Sequence, residues 1–353
     1  MVIIHIAHID RSIIGGVQIA VPQMVKAQMQ YADIGFVNIQ GDDIEGIKML
    51  NHGNIMNLTE FFSQFNTPDI VVFHEVYRFE YIRIYKKLSK VKIPYIVVPH
   101  GCLSKQAQKR KKMKKVVANC LFFNKFLKSA RYIQYLSDNE KNMSAFLKLP
   151  YFISGNGIAI PQAKKRFFSS SGVKIVYIGR LEIKTKGLDL LLKAVRECSV
   201  FMRKINAKVE IYGPNYGKEH IALLKMIRKY NISDIVSIDK EKIGQEKERI
   251  LLSADCFIQP SRTEGMPMGL LEALSYGVPC IVTKGVGLGN LIESYGAGYQ
   301  CETSVKGLAE GLKRFFGEYK EIQSMSIKAV KLIEENFEKD RIAKITVEKY
   351  SQI

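Results

Sequence analysis

Two carboxylates eight positions apart, Glu264 and Glu272, flank the segment Gly265-Met266-Pro267-Met268-Gly269-Leu270-Leu271. The stretch follows an apolar run of strand length, Cys256-Phe257-Ile258, and leads into an apolar helix that Gly277 is suited to end. A helix starting near Pro267 or Met268 turns its unbonded N–H groups toward the loop mouth, where they attract phosphate. Carboxylates are poor partners for phosphate and good acceptors for hydroxyls. The combination points to a sugar joined to a nucleotide through phosphate. Without a ligand, the same pattern is an ordinary strand, loop and helix with solvated acids.

The run PSRTEGMPMGLLEALSYGVPCIVT, from Pro260 to Thr283, resembles the glutamate, seven residues, glutamate motif of the large family four of retaining glycosyltransferases. That resemblance implies an α/β protein of the GT-B fold, two Rossmann-like domains with parallel sheets and an interdomain cleft. It implies that Glu264 contacts hydroxyls of the donor sugar and that Glu272 holds the ribose. It places Ser261, Gly265, Met266, Pro267, Met268 and Leu271 along the donor, with backbone amides of 265–271 on sugar and diphosphate. Gly179-Arg180-Leu181 followed by Lys184-Thr185-Lys186-Gly187 resembles the family's cation signature. The resemblance makes Arg180 and Lys186 the pair facing the diphosphate, with Lys184 the alternative lysine. Arginine grips phosphate through two parallel N–H groups and lysine acts as a point charge. Fixed cations at a departing phosphate stabilise the charge it gains. Gly213-Pro214 matches a loop bordering the nucleotide, and Lys240–Ile243 one that packs on the base. Asn290 departs from the acidic residue the family often carries there. With no Asp-x-Asp in the chain, a bound magnesium is not expected, and no cofactor is expected beyond the nucleotide-sugar substrate.

In the first half, Val2–Ile6, Ile34–Ile39, Ile70–Phe73 and Tyr95–Val98 are strand-like runs with helical segments between them, the pattern of a parallel sheet. Gly15 and Gly16 follow the first run and clear space for a ligand to approach the backbone, or simply make a tight turn. They do not form a dinucleotide fingerprint. His74 and Glu75 end one strand and His100 ends the next, at the edge where open parallel sheets bind ligands. The resemblance places His100 near the donor sugar; His74 and Glu75 rank behind it, as surface polar residues or ligands.

The 353 residues suit two domains: 1–165 binding the acceptor, 166–337 binding the nucleotide-sugar, and 338–353 as a helix crossing back to the first, as the resemblance implies. Six scattered cysteines without a C-x-x-C pair read as reduced thiols in a cytoplasmic protein. No run of eighteen apolar residues occurs, and Met1–Ile6 reads as a strand and not a signal peptide.

The net charge of +19 is uneven: residues 1–166 carry 24 Lys/Arg against 11 Asp/Glu, and 101–150 alone carry 12 against 2. Seven cations lie between 105 and 115, followed by Val116, Val117, Cys120, Leu121, Phe123 and Leu127 at helical spacing. Such a segment, 105–128, either lies on an anionic membrane or packs its apolar end into the core. Nucleic acid is not expected, because no recognition motif is present and aromatics do not interleave with the cations.

These readings describe a metal-independent retaining glycosyltransferase moving a hexose-type sugar to a hydroxyl of a lipid-linked glycan. The setting they suggest is bacterial surface polysaccharide synthesis, of capsule or O-antigen, with the enzyme peripheral on the inner face of the cell membrane. A sugar-nucleotide epimerase of the same fold and a non-enzymatic basic membrane or nucleic-acid binder are the rivals.

Overall fold

A computed structural model describes residues 1–10, 15–50, 67–109, 111–146, 148–165, 168, 172–214 and 217–353. The chain forms two compact units, Met1–Gly157 with Lys339–Ile353, and Ile158–Glu338. The division thus falls after Gly157, ahead of the boundary at 165 read from the sequence. The tightness there has a steric cause: a Cβ on Gly157 would stand 2.5 Å from the Cα of Lys339.

The first unit is built on one sheet of six parallel strands in the order β2-β1-β3-β4-β5-β6. The strands are β1 (Val2–Ala7), β2 (Asp33–Asn38), β3 (Ile70–His74), β4 (Tyr95–Val98), β5 (Tyr132–Tyr135) and β6 (Tyr151–Ile153). Central strands read as near-continuous Ile, Val and Phe because both faces are covered, as parallel sheets require. The helix Phe79–Lys90 buries Tyr81, Ile82, Ile84, Tyr85 and Leu88, a single stripe at helical spacing. The rings of Phe73 and Tyr95 meet it from the sheet and that of Phe126 from the helix Asn124–Ser129. The helix Lys339–Ser351 packs against the helix Gly16–Gln28 of this unit.

The second unit repeats the design with β7 (Lys174–Ile178), β8 (Lys208–Tyr212), β9 (Val236–Asp239), β10 (Cys256–Gln259), β11 (Cys280–Thr283) and β12 (Gly298–Cys301). Their order is β12-β11-β10-β7-β8-β9, all parallel. The first strand of the unit lies beside its fourth, so the winding reverses between β7 and β10. Loops leaving those two carboxyl ends diverge, and ligands of doubly wound sheets bind in the resulting crevice. Leu188, Leu191, Leu192 and Val195 of the helix Leu188–Lys204 are fully buried beneath the sheet. Truncating one such leucine to alanine costs about 2–5 kcal/mol.

All six cysteines are free, and four of them, Cys198, Cys256, Cys280 and Cys301, are buried in this second core. No helix among the described residues is long and apolar enough to cross a membrane.

The cationic segment is not one helix. Lys111 takes left-handed backbone angles (φ 52°), and the chain breaks into Lys105–Lys109 and Lys112–Ala118, then a π turn at Asn119–Phe123 and a helix Asn124–Ser129. Ser104 caps the first piece, accepting from the N–H of Ala107. Phe123, Phe126 and Leu127 enter the core, whereas Met113, Val116, Val117 and Leu121 remain more than half exposed. The apolar residues of 105–128 therefore split between core and surface.

Candidate active site

The geometry of the second unit starts from two loops at the reversal point. After β7 the chain runs through Gly179 and Arg180 into a single helical turn, Ile183–Lys186, closed by Gly187 in the left-handed region (φ 68°). After β10 it runs through Pro260 to Glu264 and into the helix Met268–Ser275. The loops are stitched together. Arg262 N–H donates to Thr185 O, and the Arg262 guanidinium makes two hydrogen bonds to the Asp189 carboxylate, at 2.7 and 2.8 Å. Gly187 passes so close to Pro260 that a Cβ would lie 1.9 Å from its carbonyl oxygen. The charge of Arg262 holds the Asp189 carboxyl below its ordinary range against the opposing effect of burial.

This stitching brings the Lys186 ammonium onto the Glu264 carboxylate. Both side chains are largely shielded, Lys186 at 10% and Glu264 at 19% exposure. A third loop fixes Glu264 from behind: its N–H donates to Gly285 O, and Ser261 O accepts from the Thr283 hydroxyl. Ser261 is fully buried and its hydroxyl lies 3.4 Å from the Glu264 carboxylate, so its side chain braces Glu264 from inside. Arg180 lies on the same edge, more exposed and paired with Glu182 at 2.6 Å. The buried Tyr177 hydroxyl donates to Arg180 O, and the charges of both Glu264 and Arg180 act on it. Gly213 and Pro214 are buried beyond β8, where a Cβ on Gly213 would strike Gly179 O at 2.1 Å.

The helix Met268–Ser275 begins after Pro267 without a side-chain cap. At such a start the N–H groups of Met268 and Gly269 have no carbonyl within the helix to bind. Leu271 is different: its side chain is fully buried and its N–H already donates to Pro267 O. Met266 and Met268 are nearly buried too, so their side chains belong to the core. At the far end Gly277 closes a Schellman turn, with Val278 N–H bonded to Ala273 O and Gly277 N–H to Leu274 O. Glu272 pairs with Lys247 of the helix Gly244–Ser253.

In the first unit the carboxyl edge carries histidines. His5 Nδ1 and His74 Nε2 are 3.0 Å apart, and His74 Nδ1 and His100 Nε2 are also 3.0 Å apart. Burial holds all three rings neutral, lowering His5 to about 3 and His100 to about 4. His74 is fully buried, which removes it from the surface positions considered for it, while Glu75 is half-buried and paired with Arg78. Glu75 and His100 both adopt positive φ, 69° and 51°. The His100–Gly101 turn is clamped by Glu140, whose carboxylate accepts from Gly101 N–H at 2.5 Å and Leu136 N–H at 2.8 Å. Gly15 and Gly16 border residues 11–14, which lie outside the described part. Neither glycine has a positive φ, and a Cβ on Gly16 would meet nothing within 4 Å among the described residues.

Residues 161–332 match the family described as "Glycosyl transferases group 1". The second unit is a group 1 glycosyltransferase domain. Over 150 residues the chain is 29% identical to the putative colanic acid biosynthesis glycosyltransferase WcaL of Escherichia coli K12, covering 40% of this chain and 36% of WcaL. Over 78 residues it is 35% identical to the UDP-Gal:alpha-D-GlcNAc-diphosphoundecaprenol alpha-1,3-galactosyltransferase of Escherichia coli, covering 21% of this chain and 20% of that one. The chain thus spans well under half the length of these curated relatives. Among solved structures, Anabaena HepE in complex with UDP and glucose superimposes with a TM-score of 0.76 at 14% identity, covering the whole of both chains. The fold of the chain around this glycosyltransferase domain is GT-B.

Asp189, Arg262, Lys247 and Glu140 were not found from the sequence. Asp189 and Arg262 are 73 positions apart, and no local pattern marks such a pair. Glu140 does sit at a position a capping box would flag: Ser137 caps its helix and accepts from the Glu140 N–H.

Proposed function

We propose that the chain transfers a hexose-type sugar from a nucleoside diphosphate donor to a hydroxyl of a lipid-linked glycan, with retention and without a metal ion. The observation that carries this reading is the meeting of Lys186 and Glu264 where the second sheet reverses, beside an uncapped helix start. A cation and two N–H groups suit a diphosphate, and a carboxylate braced from behind suits sugar hydroxyls. In this reading Arg180 and Lys186 take the leaving phosphate, and the amides of Met268 and Gly269 lie along it. Glu264 grips the sugar and Glu272 the ribose, while Gly213 and Pro214 border the nucleotide. His100 of the first unit serves the reacting sugar. The departing diphosphate helps deprotonate the incoming hydroxyl on the same face, so no covalent nucleophile is needed.

Among the described residues nothing crowds a Cβ at Gly16 and its φ is not positive, which supports ligand approach there. A UDP-bound structural neighbour and a relative named for a diphosphoundecaprenol-linked acceptor support a nucleotide donor and a lipid-carried acceptor. The exposed apolar and cationic face of 105–122 supports a place at an anionic membrane surface on the cytoplasmic side. Incubating the full chain with a panel of nucleotide-sugars identifies the donor by thermal stabilisation, which grows with the logarithm of occupancy. Transfer to a diphosphate-lipid-linked sugar, with the anomeric configuration read by NMR, then tests the reaction. An inverted product, or an epimerised donor formed without acceptor, would overturn it.

A further inference from the structure

The three histidines of the first unit belong to a longer buried polar chain with a definite direction. It starts at a backbone carbonyl, Ser154 O, which can only accept. Gln134 Nε2 donates to it at 3.1 Å, so the Gln134 amide is fixed with its oxygen turned the other way. That oxygen accepts from the Tyr350 hydroxyl at 2.6 Å. Having spent its proton, the Tyr350 oxygen can only accept from anything else it meets. The carboxamide of Gln28, fully buried, lies beside both Tyr350 and His5. As placed, its two polar atoms and His5 Nε2 are buried and form no hydrogen bond among the described residues. Buried polar groups are paired, and a small turn of the Gln28 amide satisfies all three in only one sense. Gln28 turns its NH2 toward Tyr350 and its oxygen toward His5, which must then donate from Nε2.

A neutral imidazole donates at one nitrogen and accepts at the other. If His5 donates from Nε2, its Nδ1 accepts, and the partner at 3.0 Å, His74 Nε2, carries the proton. His74 Nδ1 then accepts, and its partner at 3.0 Å, His100 Nε2, carries the proton. His100 Nδ1 is left bare, on the half-buried ring at the end of β4, in a turn held by Glu140. The neutrality this requires agrees with the burial of all three rings.

We propose that His74, His5, Gln28, Tyr350 and Gln134 are positioning residues that hold His100 in one tautomer, with Nε2–H turned inward and Nδ1 presented bare. A bare nitrogen accepts from a hydroxyl and repels a phosphate oxygen, which is itself only an acceptor. Resting on the glycosyltransferase reading, this assigns His100 to a sugar or acceptor hydroxyl and excludes it from the diphosphate.

The test is long-range proton–nitrogen NMR of the full chain carrying nitrogen-15 histidine, at neutral pH. His100 is expected as the pure Nε2–H tautomer. Tyr350→Phe keeps the ring and removes only the hydroxyl, yet it is expected to turn His100 into a mixture of tautomers across four intervening links. Gln134→Leu is expected to do the same, and kcat in both to fall roughly tenfold with the donor KM unchanged. An Nδ1–H tautomer in the wild-type chain overturns the proposal, as does a His100 signal unmoved by both Tyr350→Phe and His74→Phe. The tautomer is read without nucleotide-sugar, so a failed transfer assay would overturn the assigned reaction and leave the hydrogen-bond chain standing.

Discussion

The Lys186 ammonium rests on the Glu264 carboxylate, joining residues 78 positions apart at the reversal point of the second sheet. Each group orients the other in a largely shielded place. In that shielded place the cost of desolvating both charges offsets most of their attraction, so the pair adds little net stability. Its contribution to transfer is expected to be large. Lys186→Met should lower kcat by about 100- to 1,000-fold, the usual effect of removing one group that meets developing charge. Glu264→Gln should also lose transfer, because an amide has one acceptor oxygen in place of two and carries no charge to hold the Lys186 ammonium. Steady-state kinetics with thermal melts of the same samples check this. A collapse in melting temperature matching the loss of activity would reduce the pair to a structural role.

Glycines on the two sheets separate steric need from ligand access. At Gly187 the backbone is left-handed (φ 68°), and a Cβ would meet Pro260 O at 1.9 Å. Gly187→Ala should therefore cost about 3 kcal/mol or more and pull the Lys186 loop from the Glu264 loop. Gly16→Ala meets nothing within 4 Å among the described residues, and its backbone is ordinary. That change should leave stability equal or raise it by about 0.4–1 kcal/mol. If ligand approaches there, the same variant loses activity while its denaturation midpoint holds or rises. Full activity in Gly16→Ala would remove Gly16 from the site.

Both sheets could be read from runs such as Ile70-Val71-Val72-Phe73, because strands buried on two faces must be apolar at every position. Glu264, Glu272, Arg180 and Lys186 stood out for another reason: they fall in two short runs, 179–187 and 260–283, whose local pattern resembles a family motif and which follow β7 and β10. What could not be read was set by distance along the chain. Asp189 has no meaning until Arg262 is beside it, and Lys247 none until it reaches Glu272. His74 looked like an edge residue because it ends β3, but its ring turns inward between two other histidines. Strand alternation does not fix which polar residue at an edge faces water. The break at Lys111 was hidden as well, because lysine is a good helix former and nothing local announces its left-handed angles.

The buried histidines make a statement about acid. Each has a folded-state pKa below the ordinary 6.5, so the unfolded chain binds protons that the folded chain refuses. Their effect is nil above pH 6.5, and stability falls as pH drops below it. The share of His100 ends as that ring protonates at about 4, and that of His5 at about 3. Each ring contributes up to roughly 1.4 kcal/mol per pH unit in that window. Other shifted groups act elsewhere. Burial raises the Glu140 carboxyl, which opposes the trend nearer its own range, and Asp189 is lowered and titrates below the window. Urea denaturation between pH 7 and 5.5 should show the decline, and His74→Phe should flatten it. A flat wild-type profile would mean the rings are solvated.

The surface of 105–122 tests whether the enzyme sits on lipid. Met113, Val116, Val117 and Leu121 are more than half exposed, and Phe122 packs edge-on against the exposed ring of Phe79. Lys105, Lys109, Lys111, Lys112 and Lys114 are exposed on the same segment. Lys115 turns back to Ala107 O and the Tyr77 ring, and so supports the fold more than the surface. Each free cation near an anionic headgroup layer contributes about 1 kcal/mol. Replacing Lys111, Lys112 and Lys114 by serine should thus weaken binding to phosphatidylglycerol vesicles by roughly 100-fold. Salt should weaken the wild-type chain similarly, because a Debye length of about 8 Å at physiological ionic strength screens such contacts. Leu121→Asp should reduce binding even at low salt, since it places charge in the strip that enters the headgroup boundary. Transfer to a water-soluble acceptor should be unchanged in every variant, because none of these side chains belongs to the proposed site. Equal sedimentation with phosphatidylcholine and phosphatidylglycerol vesicles, or none with either, would show that this face serves something other than an anionic membrane.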